Sequence, residues 1–222
     1  MESCFQCACP TLTSGTNVEV IGSQVLVESK ATSDNPHVHG PESTEGIETK
    51  DRDESGAFEV NITGQDLATD LYIDTMDERY CMIANIVNVA NITDSTGKVA
   101  PGMFITKVDD VSGSSKAMLA RLMGKTSAKL TVRYPKHIKV NVVKTGSLNL
   151  AITAKSDLPF FIVKHINPGP IATWNEQHPD KAVMPNDRLV EVNGVSGGHQ
   201  QILDAINMHS NVSITFSRCV LD

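Results

Sequence analysis

The residue types that could carry catalytic chemistry form no recognisable catalytic set in this chain of 222 residues. Ser196 and His199 are near neighbours, as a serine nucleophile and its base could be, but no protease-like domain accompanies them. His165 and His178 lack the spacing to a partner that a metal site requires, and there is no glycine-rich phosphate loop. We therefore expect a protein that is not an enzyme and that needs no metal or cofactor.

The cysteines do not form an even, spaced disulfide framework. Cys4, Cys7 and Cys9 cluster near the start, but a structural zinc site takes four ligands and no nearby His or Cys completes the set. Unmodified thiols and reversible palmitoylation both fit this cluster, and acylation would place the protein against a membrane. Cys81 and Cys219 stand apart from it, so the usage indicates a reducing compartment.

Composition and charge exclude two classes of partner. The net charge is −7 and no basic stripe is present, which argues against nucleic acid. No apolar run approaches the ~20 residues needed to cross a bilayer. The start of the chain lacks a charged-then-apolar signal, so we expect a cytoplasmic protein, peripheral to a membrane if its cysteines are acylated.

The chain contains an internal repeat. Residues 183–197 align with residues 99–113, and the apolar positions beyond them continue in register. The identical residues are Val99, Pro101, Val108, Val111, Ser112 and Gly113, which recur as Val183, Pro185, Val192, Val195, Ser196 and Gly197. A repeat of this length indicates two copies of one folding unit. Two small similar modules are more typical of a binding protein than of one large catalytic domain.

The repeat divides the chain into three parts. We predict a first copy over 57–134 and a second copy over 137–218, with helical spacing at 116–122 and 199–206. Residues 1–56 are predicted to be largely disordered, because 30–56 are polar and acidic and cannot bury enough apolar surface to order.

Residues 17–28 differ from the rest of the N-terminal region. They alternate apolar and polar residues on both sides of Gly22 and Ser23, which is typical of a hairpin. An isolated hairpin is marginally stable. We therefore hypothesise that this segment lies along an open sheet edge of one copy or completes its sheet.

The second copy resembles the PDZ domain family. It contains Gly169-Pro-Ile-Ala followed by Pro185-Asn-Asp-Arg-Leu-Val-Glu-Val-Asn-Gly-Val, where the family has a turn that opens a short helix and then a central strand and turn. The resemblance extends from Ile138 to Phe216, and the first copy is similar through the register that it shares. It implies a mainly β protein with short helices, built as two tandem PDZ-like, partly open β-sandwiches, each capped by two helices.

The resemblance also implies a binding site. PDZ domains bind an extended peptide, usually a free C-terminus, by strand addition between the second strand and the second helix. Asn149 stands where the family usually has the glycine of its carboxylate-binding loop, and His199 stands where many members read a ligand Ser or Thr. In the second copy the implied peptide-binding residues are Leu148, Asn149, Leu150, Ile152, His199, Leu203 and Ile206.

The first copy carries a weaker counterpart of this groove. Its matching residues are Thr69, Asp70, Leu71, Ile73, Ser115, Leu119 and Leu122. A like charge about 4 Å from a ligand carboxylate costs ~1 kcal/mol in water and ~4 kcal/mol at an effective dielectric of 20. We therefore expect Asp70 to make the first copy a poor receptor for C-termini, unless its side chain turns to solvent. Binding internal segments, pairing with another domain and supporting the second copy are the alternatives.

These patterns predict a non-catalytic adaptor that binds short protein segments or C-termini, mainly through its second copy. Two alternatives remain open at this point. In one, the two copies pack on each other or on another chain as a structural or self-assembling protein, and the grooves stay empty. In the other, the chain is a regulatory subunit of an enzyme.

Overall fold

Two antiparallel sheets, one from each copy, make up most of the chain. The computed structural model describes residues 18–20, 56–155 and 158–221. Cys4, Cys7, Cys9 and most of the predicted hairpin lie outside these residues. The described part is mainly β with short helices, and its two curled sheets confirm the predicted fold class.

In the sheet of the first copy, the strand that follows the first loop stands at one end of the described strand order. Its strand order is β3-β4-β6-β8-β2-β5, with β7 paired to β6. The elements are β2 (Ala57–Thr63), α1 (Leu67–Asp70), β3 (Leu71–Asp74), β4 (Cys81–Ile86), β5 (Thr93–Asp94), β6 (Phe104–Val108), β7 (Val111–Ser112), α2 (Ser115–Leu122) and β8 (Ser127–Arg133).

The second copy repeats this arrangement and adds an N-terminal strand. Its order is β1-β10-β11-β12-β14-β9, with β13 paired to β12. The elements are β1 (Val18–Val20), β9 (Lys136–Val143), β10 (Leu150–Ala154), β11 (Phe161–Ile166), α3 (Pro170–Gln177), a 3₁₀ turn (Pro179–Lys181), β12 (Arg188–Val192), β13 (Val195–Ser196), α4 (His199–Met208) and β14 (Asn211–Arg218). Without β1 and β5, the two sheets have the same strand order.

The same turn chemistry shapes both copies after the central strand. Asp109 and Asn193 occupy matching positions and both have a φ of 52°. Asp and Asn tolerate this left-handed conformation better than other residues with a side chain. Each side chain accepts a hydrogen bond from the main chain of the last strand, at Lys129 N (3.0 Å) and Ser213 N (2.8 Å) respectively. The repeat therefore conserves a turn that joins two strands of each sheet.

The copies differ between β4 and β6 in the first copy and between β11 and β12 in the second. We expected two helices in each copy, and the second copy has them as α3 and α4. The first copy has no helix between β4 and β6, and its short strand β5 pairs there with β2 instead. Its additional helix is the four-residue α1, which comes before β3.

The two copies share a continuous apolar interface. Leu158, Phe160, Ile162 and Cys219 of the second copy are buried in the core of the first. Phe161, whose side chain alternates with those of Phe160 and Ile162, belongs instead to the core of the second copy. The two faces of this stretch are therefore buried against different copies.

A buried ion pair crosses this interface. Arg188 Nη2 lies 2.9 Å from Asp74 Oδ2, and both side chains are completely buried. The guanidinium carbon lies 5.5 Å from the ring centroid of Tyr80 and 5.3 Å from that of Phe104, which gives the cation two aromatic neighbours. Arg188 and Phe104 are matching positions of the repeat. The equivalent strands of the two copies therefore meet across the interface.

Candidate functional site

In the second copy, strand β10 and helix α4 form the two sides of the predicted groove. Ile202 and Ala205 bury one face of α4 in the core, whereas Leu203 and Ile206 are half-buried and pack against the edge of that core. Residues at these spacings share a helical face. Leu203 and Ile206 are thus apolar side chains that remain partly exposed.

Helix α4 begins at one of the predicted site residues. His199 Nε2 lies 2.9 Å from the carbonyl oxygen of Phe160, and its ring centroid lies 4.6 Å from that of Phe161. An Nε2–H donor to that carbonyl leaves Nδ1 as the ring nitrogen that carries a lone pair in neutral histidine. The backbone carbonyl therefore orients the imidazole at the start of the groove.

The loop before β10 has the unusual backbone that the resemblance requires. Asn149 has a φ of 53°, and its Nδ2 donates a hydrogen bond of 2.9 Å to the carbonyl of Pro168. Gly169 permits this close approach, because a Cβ at that position would lie 2.7 Å from Asn149 Nδ2. The loop is therefore held against the entrance to α3 by the side chain of Asn149.

Part of the loop's main-chain capacity is already used. The N–H of Asn149 donates to Ser147 Oγ at 3.1 Å, and its carbonyl accepts from Asn167 N at 2.9 Å. A cradle for a ligand carboxylate needs free N–H groups. At Asn149, the main-chain N–H and carbonyl of the loop are therefore already hydrogen-bonded within the protein.

The N-terminal segment lies along the edge of this groove. Strand β1 pairs antiparallel with β10, with Val18 opposite Ala154, Glu19 opposite Thr153 and Val20 opposite Ile152. This places a segment from the predicted 17–28 stretch on a sheet edge, as the hypothesis for that stretch required. The pairing of the described residues 18–20 covers Ile152–Ala154, and Leu150 and Ala151 are nearer the Asn149 loop.

The first copy fills its corresponding loop with its own carboxylate. Asp70 is buried, and its Oδ2 accepts hydrogen bonds from the main-chain N–H groups of Gln65 (2.9 Å) and Asp66 (3.1 Å). Its Oδ1 accepts from the side-chain amides of Asn88 (3.0 Å) and Asn91 (3.4 Å). The side chain points neither to a ligand nor to solvent, the two orientations that we considered from the sequence.

The electrostatics of Asp70 agree with this geometry. Hydrogen bonds donated by the Asn88 amide, and then by the Asp66 and Gln65 N–H groups, lower the pKa of Asp70 although burial opposes them. Four donors around one carboxylate stabilise its charged form. The loop that would receive a ligand carboxylate thus holds an internal one.

The other predicted residues of the first groove are also mostly enclosed. Leu71, Ile73, Ser115 and Leu122 are buried, Leu119 is half-buried and Thr69 is exposed. Ser115 opens α2 at the position of His199, but its N–H donates to Glu78 O at 2.9 Å and its Oγ donates to Thr75 O at 3.4 Å. The first copy therefore closes this end of its groove at Ser115, the position where the second copy has His199.

Sequence reasoning missed the residues that surround the site. The Phe160 carbonyl hydrogen-bonds His199, and the Ser147 hydroxyl accepts a hydrogen bond from the loop. The ion pair of Asp74 and Arg188 joins the two copies. Ser147 offered a signal, since a serine two residues before a residue with positive φ is a common local acceptor. The contacts of Phe160, Asp74 and Arg188 depend on how the copies dock and leave no local pattern.

The described residues include two cysteines, both buried, and no cluster of metal ligands. Cys81 and Cys219 are free, buried thiols, and burial raises the pKa of Cys81 to about 12 and that of Cys219 to about 11. Such thiols stay protonated near neutral pH and are poor nucleophiles. Within the described ranges, no group of three or more His, Cys, Asp or Glu side chains is placed to hold a metal ion. None of the helices described there is both long and apolar enough to cross a membrane.

Comparison with known proteins gives weak likenesses. No family model matches the chain, and no curated protein matches it. Among solved structures, "Structure of INAD PDZ45 in complex with NG2 peptide" is 14% identical, with 78% of this chain and 95% of that chain covered and a TM-score of 0.34. "Complex structure of INAD PDZ45 and NORPA CC-PBM" is 12% identical, with 77% and 95% covered and a TM-score of 0.33. Both names describe PDZ modules, and both likenesses are weak in identity and in TM-score.

Proposed function

We propose that this protein is a non-catalytic adaptor that binds a short extended segment of a partner protein on the β10 edge of its second copy. One observation carries the proposal: β10 has an outer edge that already accepts an antiparallel strand, β1. Strand addition uses main-chain hydrogen bonds for affinity and side-chain pockets for selectivity.

The helix supplies the second half of the site. Leu203 and Ile206 offer partly exposed apolar surface, and burying one such side chain fully contributes about 1.5–3 kcal/mol. A micromolar complex needs about 8 kcal/mol in total. Because both side chains are already half-buried, each gains less than this value, and main-chain hydrogen bonds and further side-chain contacts must supply most of that free energy. The ligand should therefore be short, extended and apolar at alternating positions.

For the first copy we propose a supporting role rather than a second binding site. The buried Arg188–Asp74 pair and the shared apolar interface favour this interpretation. Asp70 occupies the loop that would hold a ligand terminus, and Ser115 is tied to the main chain of residues 75–78. The first copy then orients and stabilises the second.

The test is a peptide screen on the full chain. A library that displays both free C-termini and internal segments is selected on the wild-type protein and on the double variant Leu203→Ala/Ile206→Ala. We expect enriched peptides that bind the double variant at least about tenfold more weakly, the equivalent of 1.4 kcal/mol. Met208→Ala is the matched control, because Met208 is on the same helix and is 77% exposed. Absence of any enriched peptide, or equal binding to the double variant, would reject the adaptor.

A further inference from the structure

The position of β1 has a consequence for how the groove of the second copy is used. Val18, Glu19 and Val20 take the place along β10 that a strand-adding ligand would take. Strand β1 runs from the Ala154 end of β10, which is nearest the start of α4, towards the Asn149 loop. A ligand and β1 would therefore compete for the same main-chain groups.

We propose that Val18–Val20 is the intramolecular occupant of the β10 edge and that external segments bind by displacing it. The inference rests on the proposed function, because it names how the same site is regulated. It also indicates the ligand class. Since Val20 is followed in sequence by further residues, the edge accepts an internal segment and needs no free carboxylate.

The loop supports an internal segment as the ligand. The N–H of Asn149 is engaged by Ser147 Oγ, so this group does not await a terminal carboxylate. Leu150 and Ala151 lie between the loop and the end of the described pairing with β1. A longer segment can therefore pair with these residues first and then replace β1 residue by residue.

The connection between β1 and the rest of the chain allows the contact to form within one molecule. Residues 21–56 join Val20 to Ala57, and a chain of this length spans at most roughly 120 Å when fully extended. A tethered segment acts at an effective concentration in the millimolar range. A strand of three residues makes few hydrogen bonds, so it can hold the edge and still be displaced.

The experiment compares full-length variants with one defined probe. The probe is a fluorescent peptide of residues 14–24, acetylated and amidated so that it has no free terminal charge. The variant Val18→Pro/Glu19→Pro/Val20→Pro removes all N–H donors of β1. The control His37→Pro/Val38→Pro/His39→Pro puts the same change elsewhere in the N-terminal region. If β1 occupies the edge most of the time, opening it should tighten probe binding about tenfold or more.

Hydrogen exchange on the same proteins gives a second readout. We expect amides of 152–154 to exchange faster in the β1 variant than in the wild type and the control, with β9 and β14 unchanged. Equal probe affinity and equal exchange in all three proteins would overturn the proposal. So would a wild-type dimer that becomes monomeric in the β1 variant, because the occupant would then come from a second copy of the chain. If the probe fails but library peptides still require Leu203 and Ile206, the occupancy proposal falls and the adaptor stands.

Discussion

At matched positions, the two copies place the same elements in different surroundings. Helix α4 presents Leu203 and Ile206 half-buried beside β10, whereas the helix of the first copy buries Leu122 completely. The loop of the second copy holds an exposed Asn149, and that of the first holds a buried, fully engaged Asp70. One unit leaves apolar side chains of its helix half-buried, and the other buries the matching Leu122 and the Asp70 carboxylate within its own structure.

This difference shows that a repeat preserves topology more readily than it preserves a site. The strand order and the turns at Asp109 and Asn193 are common to both copies, because the hydrogen-bonding needs of the sheet dictate them. The groove depends on a few side chains at the sheet edge and on what packs nearby. Those side chains differ between the copies, and so does their burial.

The interface between the copies should give the largest effect. Arg188→Met leaves the Asp74 carboxylate buried without its cation, and breaking a pair of this kind costs about 3–5 kcal/mol. We expect urea unfolding to report a loss in that range. The double variant Arg188→Met/Asp74→Leu should recover most of the stability, because neither charge is then buried alone.

A pair exposed to solvent serves as the control for this comparison. Lys129 and Glu59 lie 2.7 Å apart with more than half of each side chain exposed. Lys129→Met should change the unfolding free energy little, since exposed pairs contribute little. A loss for Arg188→Met no larger than that for Lys129→Met would mean that the interface does not hold the copies together.

The carboxylate of Asp70 should give the next largest effect. Asp70→Ala leaves the N–H groups of Gln65 and Asp66 and two asparagine amides without their acceptor, so the melting temperature should fall by several degrees. Asp110→Ala, whose side chain is 81% exposed, is the control. The variant should still not bind free C-termini, because Ser115 and Leu122 remain buried. New C-terminal binding mapped to β3 and α2 would show that Asp70 alone closes the first groove.

The same residue predicts a pH dependence. The pKa of Asp70 is lowered in the folded chain, chiefly by the hydrogen bond from Asn88. The stabilisation is therefore complete above the ordinary carboxyl pKa and is lost as pH falls through the lowered value. Asp70→Asn should remove this part of the acid sensitivity, and the difference from the wild type should narrow during an acid titration followed by circular dichroism.

Exchange of the matched turn residues should give the smallest effect. Asp109→Asn copies the second copy's Asn193, so the turn and the hydrogen bond from Lys129 N should survive. The variant loses the ion pairs with Lys125 and Arg121, which are partly exposed, and we expect a cost within about 1 kcal/mol at neutral pH. Lys125 is the main reason that the pKa of Asp109 is lowered to about 2. The cost should therefore disappear between pH 4 and pH 2, and a constant difference across that range would contradict the assignment.

Much of the fold could be predicted from the sequence because it depends on local patterns. Alternation predicted the large strands, and apolar spacing predicted helices at 116–122 and 199–206, which the structure extends to Ser115–Leu122 and His199–Met208. The repeat predicted that both sheets would share one topology. These features follow from chain periodicity and turn residues, which each copy carries within itself.

The surroundings of the site could not be predicted in the same way. Arg188 falls within the strand pattern, and nothing near it in sequence indicates that Asp74 of the other copy faces it. We expected Asp70 near a ligand or in solvent. Its observed position depends on hydrogen bonds from Asn88 and Asn91, which lie in a distant loop and could not be foreseen. The roles of the predicted groove residues stay predictions until binding is measured.

Hydrogen exchange of the full chain with and without a saturating selected peptide tests the central claim most directly. The claim is that an extended guest pairs with β10 of the second copy and not with β3 of the first. We predict slower exchange at Leu150–Ala154 on peptide addition and no change at Leu71–Asp74. Protection at Leu71–Asp74, or binding that protects neither strand, would contradict the account.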